Sequence, residues 1–194
     1  DAKITAYHIG FVLGPCINAS GRLDTAARSL ALLNAKTKEE AARLAGDLTA
    51  LNQSRKALTE KGKEEAIRII ETTELKNDRV LVVYLPDCHE SLAGIIAGRI
   101  REKYHRPAFV LTGGETSAKG SGRSIESYSM YEELVKCADL MIQFGGHPMA
   151  AGLSIEEKNI EEFRRRLNVN CTLTDEELRP KIVIDVPMPV SYIT

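Results

Sequence analysis

Apolar residues recur at helical spacing through the N-terminal part of the chain. Between residues 2 and 13 this spacing predicts the end of a helix, which Gly14 and Pro15 are expected to stop. A second, short helix is predicted over residues 25–33, with Asp24 placed to cap its first turn. The intervening residues 14–22 are therefore predicted to form a loop.

A much longer helix is predicted from residue 37 to about residue 72. Thr37 and Glu40 have the Thr-x-x-Glu spacing of a capping box, in which side chain and backbone satisfy each other's free N–H groups. Apolar residues then follow at helical spacing, at Leu44, Leu48, Leu51, Leu58, Ile67, Ile69 and Ile70. A helix of ~35 residues is ~50 Å long. Because a compact domain does not need that length, we expect this helix to connect two domains.

The pattern changes after residue 77 to strands that alternate with helices. Residues 79–85 (RVLVVYL) form a near-continuous apolar run, which is typical of a buried strand. Further strands are predicted at 107–112, 117–125, 150–155 and 181–186, and helices at 91–104, 130–137 and 160–167. The predicted fold class is α/β, with the long connecting helix followed by a mixed β-sheet domain that is flanked by helices.

Composition excludes several classes of protein. Hydrophobic residues at 43% and charged residues at 27% are ordinary globular values, which argues against disorder. Because the net charge is −1, a broadly basic surface is excluded and any site for a polyanion must be a local patch. No apolar run approaches membrane-spanning length, and we expect no contact with a membrane. Four scattered cysteines without a CxxC pair favour reduced thiols in the cytoplasm over a disulfide framework or a zinc site.

Three glycine-containing segments carry the candidate chemistry. In the predicted loop 14–22, Asn18 and Arg22 precede a helix start, where free N–H groups attract anions and a guanidinium can bind two phosphate oxygens. The alternative is an N-capping loop with a surface arginine. The segment 119–124 (KGSGRS) offers Ser121, Arg123 and Ser124 beside glycines that expose backbone N–H groups. Its spacing is not that of a P-loop, and a glycine-rich hairpin turn is the alternative.

The third segment is 145–152 (GGHPMAAG). Gly145 and Gly146 allow close approach of a ligand to the backbone, and His147 is a titratable group beside them. The alternative is a tight turn whose histidine only caps the backbone. Taken together, the three segments predict one phosphate-binding surface.

His89 is a weaker candidate. It follows the apolar strand 79–85, and ligands of open α/β sheets gather at the carboxyl ends of strands. Cys88 is not favoured as a nucleophile paired with His89, because adjacent residues seldom face each other. The arginines at 164–166 indicate a solvated helix face or a second phosphate contact. No cluster of aspartates has the spacing of a metal-dependent phosphoesterase.

In this order, the segments GPCINASGRLDTA, HESLAGIIAGRIREKYHRPAFVL, KGSGRS and FGGHPMAAGLSI resemble the DHH phosphoesterase superfamily, and within it the exonucleases specific for single-stranded DNA. The resemblance covers nearly the whole chain. It implies that residues 1–36 are the tail of the DHH catalytic domain and that 37–76 form the connecting helix. By the same resemblance, 77–179 form the DHH-associated domain and 180–194 begin an oligonucleotide-binding domain.

The resemblance also implies a function, which is processive 5′→3′ hydrolysis of single-stranded DNA to mononucleotides in recombination and repair. The cofactor of such enzymes is Mn²⁺ or Mg²⁺, bound by aspartates and an Asp-His-His triplet that would lie upstream of this chain. This chain would then be a fragment that binds the substrate and is inactive by itself. Expected partners are single-stranded DNA, a single-strand-binding protein and a recombination helicase.

Site residues are carried over by matching motifs. Arg22, Ser121, Arg123 and Ser124 match positions that bind the terminal phosphate and backbone of the DNA. His147 matches the histidine that faces the metal centre, and it is therefore the expected catalytic residue. The other expected substrate contacts are Asn18, Gly145, Gly146 and His89.

Three other interpretations remain open. A smaller DHH-family phosphodiesterase would act on oligoribonucleotides or cyclic dinucleotides, and such proteins generally have a shorter linker. A non-catalytic nucleic-acid-binding relative would lack the metal ligands. The chain could also be the related editing-associated domain of alanyl-tRNA synthetase. That interpretation is disfavoured, because the synthetase domain lacks the NASGR segment.

Overall fold

The computed structural model describes residues 3–192. The helices are α1 (Gly14–Leu23), α2 (Ala27–Leu33), α3 (Lys38–Thr72), α4 (Ala93–Tyr104), α5 (Met130–Val135) and α6 (Ile160–Val169). The strands are β1 (Leu81–Leu85), β2 (Ala108–Thr112), β3 (Ala118–Arg123), β4 (Met141–His147) and β5 (Ala150–Ile155). The predicted α/β class is confirmed.

The predicted loop at 14–22 is wrong, because these residues form α1. A π-helical segment, His8–Leu13, runs directly into α1, and the Gly14 N–H donates to the carbonyl oxygen of Ile9. The proline lies in the first turn of α1, where a missing N–H leaves no hydrogen bond unmade. Asp24 does not cap α2 but forms an ion pair with Arg28 at 2.7 Å.

The long helix is confirmed as α3, which has 35 residues. At its start, Thr37 Oγ1 accepts a hydrogen bond from the Glu40 N–H at 3.2 Å, and Glu40 Oε2 accepts one from the Lys36 N–H at 3.1 Å. One part of α3 packs against α1 and α2. Near its other end, Ala66 and Ile70 enter a core formed with β1, β2 and α4. The helix therefore joins two groups of elements.

The five strands form one mixed sheet in the order β1-β2-β3-β5-β4. Strands β1 and β2 are parallel, and the other neighbouring pairs are antiparallel. The sequence pattern does not predict β4, since its glycines and histidine are typical of a turn. In the structure, residues 145–147 pair with β5, and only Pro148 and Met149 form the turn between the strands.

The two faces of the sheet are covered differently. On one face, α5 and α6 bury a continuous apolar core that includes Phe109, Leu153 and Phe163. On the other face, α3 and α4 cover the apolar residues of β1 and β2. This second face is less covered at β5 and β4, where Gly152, Gly145 and His147 are exposed. The open part of this face is available for ligands.

The predicted strand at 181–186 is wrong, because the structure has no strand there. Ile182 is 90% exposed and Ile184 is 76% exposed. An alternating apolar pattern forms a strand only when another strand pairs with its backbone, and no described residue does so for this segment. The assignment of 180–194 to an oligonucleotide-binding domain stays a prediction, and residues 193 and 194 lie outside the described residues.

The packing of β3 gives a test of this fold. A Cβ atom added at Gly122 would lie 2.5 Å from Met130 Sδ and 2.6 Å from Phe109 Cε1, and both neighbours are fully buried. Gly122→Ala should therefore lower the free energy of unfolding by ~1–3 kcal/mol, as overpacking of a core does.

Gly46→Ala is the matched control, since a Cβ there meets nothing within 4 Å. Alanine should raise the free energy of unfolding by up to about 1 kcal/mol through helix propensity. Urea unfolding of both variants measures the difference. Equal effects would contradict the packing described for β3.

Candidate functional site

Two arginines from distant parts of the chain meet at the first turn of α4. Arg22 lies in the last turn of α1, and its Nη1 donates to the Ser91 carbonyl oxygen at 2.8 Å. Arg123 ends β3, and a Cβ atom added at Gly94 of α4 would lie 2.7 Å from its Nη2. Asn18 is exposed one helical turn before Arg22, on the same side of α1.

No carboxylate forms an ion pair with either arginine within residues 3–192. Arg123 instead donates through Nη1 to the Gly122 carbonyl oxygen at 2.7 Å and to Ser121 Oγ at 3.3 Å. Burial lowers the pKa of Arg123, and the positive charge of Arg22 lowers it further. Two neighbouring guanidinium groups without a counter-charge attract an anion, and the positive end of the α4 dipole adds to that attraction.

The register of three strands extends this site across the sheet. Arg123 pairs with Ala150, and Ala150 pairs with His147. Residues paired in this way point to the same face, and β3 and β4 are about 10 Å apart because each strand spacing is ~4.8 Å. His147 is exposed, and its Nδ1 lies 3.0 Å from the Ala150 carbonyl oxygen. Because a carbonyl only accepts hydrogen bonds, this contact places a proton on Nδ1 and leaves Nε2 for a ligand.

Glycines lie in the row of paired residues next to Arg123, Ala150 and His147. Ser121 pairs with Gly152, and Gly152 pairs with Gly145. Gly145 and Gly152 are exposed, so a ligand can lie directly on the backbone of β4 and β5. Gly146 has a φ of +155°, and a Cβ atom there would lie 2.5 Å from the Ala150 carbonyl oxygen. Glycine is therefore required at 146, where β4 pairs closely with β5 just before the turn.

Two predicted site residues lie apart from this surface. The prediction that Ser124 contacts phosphate disagrees with this structure. Ser124 is only 1% exposed, and its hydroxyl donates a hydrogen bond to the Tyr128 carbonyl oxygen at 2.5 Å. His89 lies at the margin, where it borders a separate cavity against α3. Its Nδ1 accepts a hydrogen bond from the Ser91 N–H at 3.3 Å, which connects it to the arginine site only through Ser91. The structure therefore places Ser121, Arg123, Gly145 and His147 on one face of the sheet, with Arg22 beside Arg123.

A polar cleft of about 620 Å³ lies along the open face next to Ser121. Its polar lining includes Glu90, Lys119, Gln143 and Ser154, which were not among the predicted site residues. Lys119 belongs to the predicted phosphate-binding segment 119–124, and the alternation of β3 puts its side chain on the same face as Ser121 and Arg123. Gln143 lies within a predominantly apolar run, which gives no sign of a polar site.

The arginines of α6 and the Cys88 thiol do not contribute to this surface. Arginines 164–166 each pair with a carboxylate, through Arg164–Asp78 at 2.6 Å, Arg165–Glu162 at 2.6 Å and Arg166–Asp139 at 2.7 Å. They lie on the opposite side of the sheet, which disfavours a second phosphate contact. Arg165 is solvated, with 58% of its side chain exposed, whereas Arg164 is only 19% exposed in its pair with Asp78. Burial raises the pKa of the Cys88 thiol, and this disfavours the reactive thiolate.

Within the described residues, no group of three or more His, Cys, Asp or Glu side chains could hold a metal ion. Among the helices described, none has the length and apolar character needed to cross a membrane.

Comparisons with known proteins agree with this architecture. Residues 77–172 match the model of the DHHA1 domain family. The single-stranded-DNA-specific exonuclease RecJ of Salmonella typhimurium is 39% identical over 196 residues, which cover 96% of this chain and 34% of that protein. RecJ from Thermus thermophilus in complex with Mg²⁺ has a TM-score of 0.77 at 32% identity, and the match covers 85% of this chain and 26% of the other. The complex of the same protein with Mn²⁺ has a TM-score of 0.75 at 32% identity, and the match covers 85% of this chain and 24% of the other.

The chain belongs to the RecJ family. The family resemblance expected from the motifs is thereby confirmed, and so is the fold. The chain spans only about a third (34%) of the length of the Salmonella RecJ protein.

The hairpin between β4 and β5 offers a test of the site's geometry. Gly146→Ala should lower the free energy of unfolding by ~1–3 kcal/mol, because a side chain is strained at this φ and its Cβ atom collides with backbone. Gly145→Ala is the matched control, since nothing lies within 4 Å of its Cβ atom and the loss should stay within about 0.5 kcal/mol. Urea unfolding measures both, and an equal loss in the two variants would contradict the described hairpin.

Proposed function

We propose that this chain is the substrate-binding part of a metal-dependent exonuclease that degrades single-stranded DNA 5′→3′ to mononucleotides. The main support for the proposal is that Arg22 and Arg123 lie together on an open glycine-lined face, and that no carboxylate of residues 3–192 pairs with either of them. The family relatives are named as exonucleases specific for single-stranded DNA. Roles in DNA recombination and repair, and a cytoplasmic location, belong to the same proposal.

We further propose the domain division implied by the motifs. Residues 1–36 would be the tail of the catalytic domain, 37–76 the connecting helix, 77–179 the substrate-binding domain and 180–194 the start of an oligonucleotide-binding domain. Support comes from α3, which contacts the N-terminal helices at one part and the sheet at another. Its 35 residues also favour the exonuclease over a smaller phosphodiesterase with a short linker.

The proposed substrate contacts follow from the chemistry of each group. Arg22 and Arg123 bind the terminal phosphate with charge-assisted hydrogen bonds, and the Ser121 hydroxyl adds a donor. The backbone at Gly145 and Gly146 admits the next part of the strand. Asn18 and His89 flank the arginines at greater distance.

His147 is the proposed catalytic residue. With Nδ1 donating to the Ala150 carbonyl oxygen, a neutral ring presents Nε2 as an acceptor. When the ring is protonated, Nε2–H donates instead, and it can stabilise negative charge on a scissile phosphate oxygen. The hydrogen bond to Ala150, within the β4–β5 hairpin, holds the ring in the orientation that leaves Nε2 free for the substrate.

The proposed cofactor is Mn²⁺ or Mg²⁺, since similar RecJ structures contain these ions. When bound, such a metal would supply an activated water and would offset developing charge. The described residues do not fit a metal site, so we assign the ligands to other parts of the full-length protein. A single-strand-binding protein and a recombination helicase are the proposed protein partners.

The arginine site is tested by substitution in the full-length protein. Arg123→Ala should weaken binding of a 5′-phosphorylated single-stranded oligonucleotide by ~1–3 kcal/mol, because a charge-assisted phosphate contact is lost. Fluorescence anisotropy in metal-free buffer measures the Kd. Arg165→Ala, which removes the same charge from α6, is the control and should leave the Kd unchanged. If both variants bind as the parent does, the assigned role of Arg123 is wrong.

The placement of the catalytic metal is tested with residues 1–194 by themselves. This chain with Mn²⁺ should not hydrolyse single-stranded DNA in a single-turnover assay, whereas the full-length protein should. Vigorous Mn²⁺-dependent cleavage by residues 1–194 alone would show that the metal ligands lie within this chain.

A further inference from the structure

An ion pair between Lys119 and Glu90 lies in the lining of the polar cleft. Lys119 of β3 lies with Nζ 2.7 Å from Glu90 Oε2, and Glu90 is in the short turn that leads into α4. Both side chains are about half exposed, at 53% and 50%, and both line the cleft. Arg123, on the same strand face, pairs with no described carboxylate.

We propose that Glu90 is an electrostatic latch on Lys119, and that Lys119 is the phosphate ligand that follows the arginine site along the strand. In the free protein Glu90 holds Lys119. When single-stranded DNA binds, a backbone phosphate replaces the Glu90 carboxylate as the partner of Lys119. This inference rests on the proposed function, because it needs a nucleic acid strand on the open face.

The spacing of β3 separates Lys119 from the arginine site. Their Cα atoms are four residues apart, which is about 13 Å in an extended strand. The Arg123 guanidinium is held over Ser121 and against α4, whereas Lys119 is directed to Glu90. Lys119 therefore addresses a different phosphate from the one that Arg22 and Arg123 bind.

The charges explain why a carboxylate can occupy a phosphate-binding cleft. An ionised Glu90 repels phosphate, so its position there is unfavourable for binding unless it has another role. Paired with Lys119, it neutralises a further positive charge on the face that already holds the guanidinium groups of Arg22 and Arg123, which repel each other. A half-exposed ion pair is weak in water, so a phosphate already anchored nearby can replace the carboxylate at small cost.

The test is a double-substitution cycle in the full-length protein, with a 5′-phosphorylated single-stranded oligonucleotide and metal-free buffer. Glu90→Gln should tighten binding by about three- to fivefold, the scale of one exposed ion pair. Lys119→Gln should weaken binding by about fivefold and reduce the slope of log K against log salt by about 0.7. In the Lys119→Gln background, Glu90→Gln should tighten binding by less than about twofold, because no latch remains to be opened.

Two control variants remove the same charges elsewhere. Glu102→Gln breaks the Arg99–Glu102 pair farther along α4, and Lys136→Gln breaks the Lys136–Glu133 pair on α5. Both should bind DNA as the parent does. The melting temperature of each variant verifies that it is folded.

The latch is overturned if Glu90→Gln tightens binding equally with and without Lys119, since Glu90 would then only repel the strand. It is also overturned if Glu90→Gln weakens binding or if Lys119→Gln has no effect. These outcomes are distinct from failure of the proposed function: in that case Arg123→Ala would also leave binding unchanged.

Discussion

The register of β3, β5 and β4 is the constraint on which the site depends. It places Arg123, Ala150 and His147 in one row, and Ser121, Gly152 and Gly145 in the next. Side chains alternate between the faces of a strand, so a shift of one residue would move these groups into the apolar core. The core beneath α5 and α6 therefore fixes the positions of the polar groups on the opposite face.

Charge pairing distinguishes the binding arginines from the structural ones. Those at 164–166 are each neutralised by a carboxylate, and Arg164 also ties α6 to Asp78 before β1. Among the described residues, Arg22 and Arg123 pair with neutral oxygens and with no carboxylate, so their charge remains available to a ligand. With a net charge of −1 for the chain, such a local site is the means by which it can bind a polyanion.

Sequence reasoning succeeded where local pattern decides the structure. Helix α3 combines a cap with sustained apolar spacing, and β1 is a continuous apolar run. It failed where pairing with a distant segment decides the structure. Strand β4 forms because β5 pairs with its glycines, whereas residues 181–186 do not form a strand, since no described strand pairs with them. The binding chemistry was recognisable from residue types. The burial of Ser124 and the Lys119–Glu90 ion pair could not be recognised from residue types, since both arise from contacts between separate segments.

On the proposed function, this open face binds the terminal phosphate of a nucleic acid strand. A crystal structure of the full-length protein with a 5′-phosphorylated single-stranded oligonucleotide, grown without catalytic metal, tests it most directly. We expect the terminal phosphate oxygens at about 2.7–2.9 Å from guanidinium nitrogens of both Arg22 and Arg123. A strand bound elsewhere, with both guanidinium groups left in solvent, would show that this face is not the phosphate-binding site.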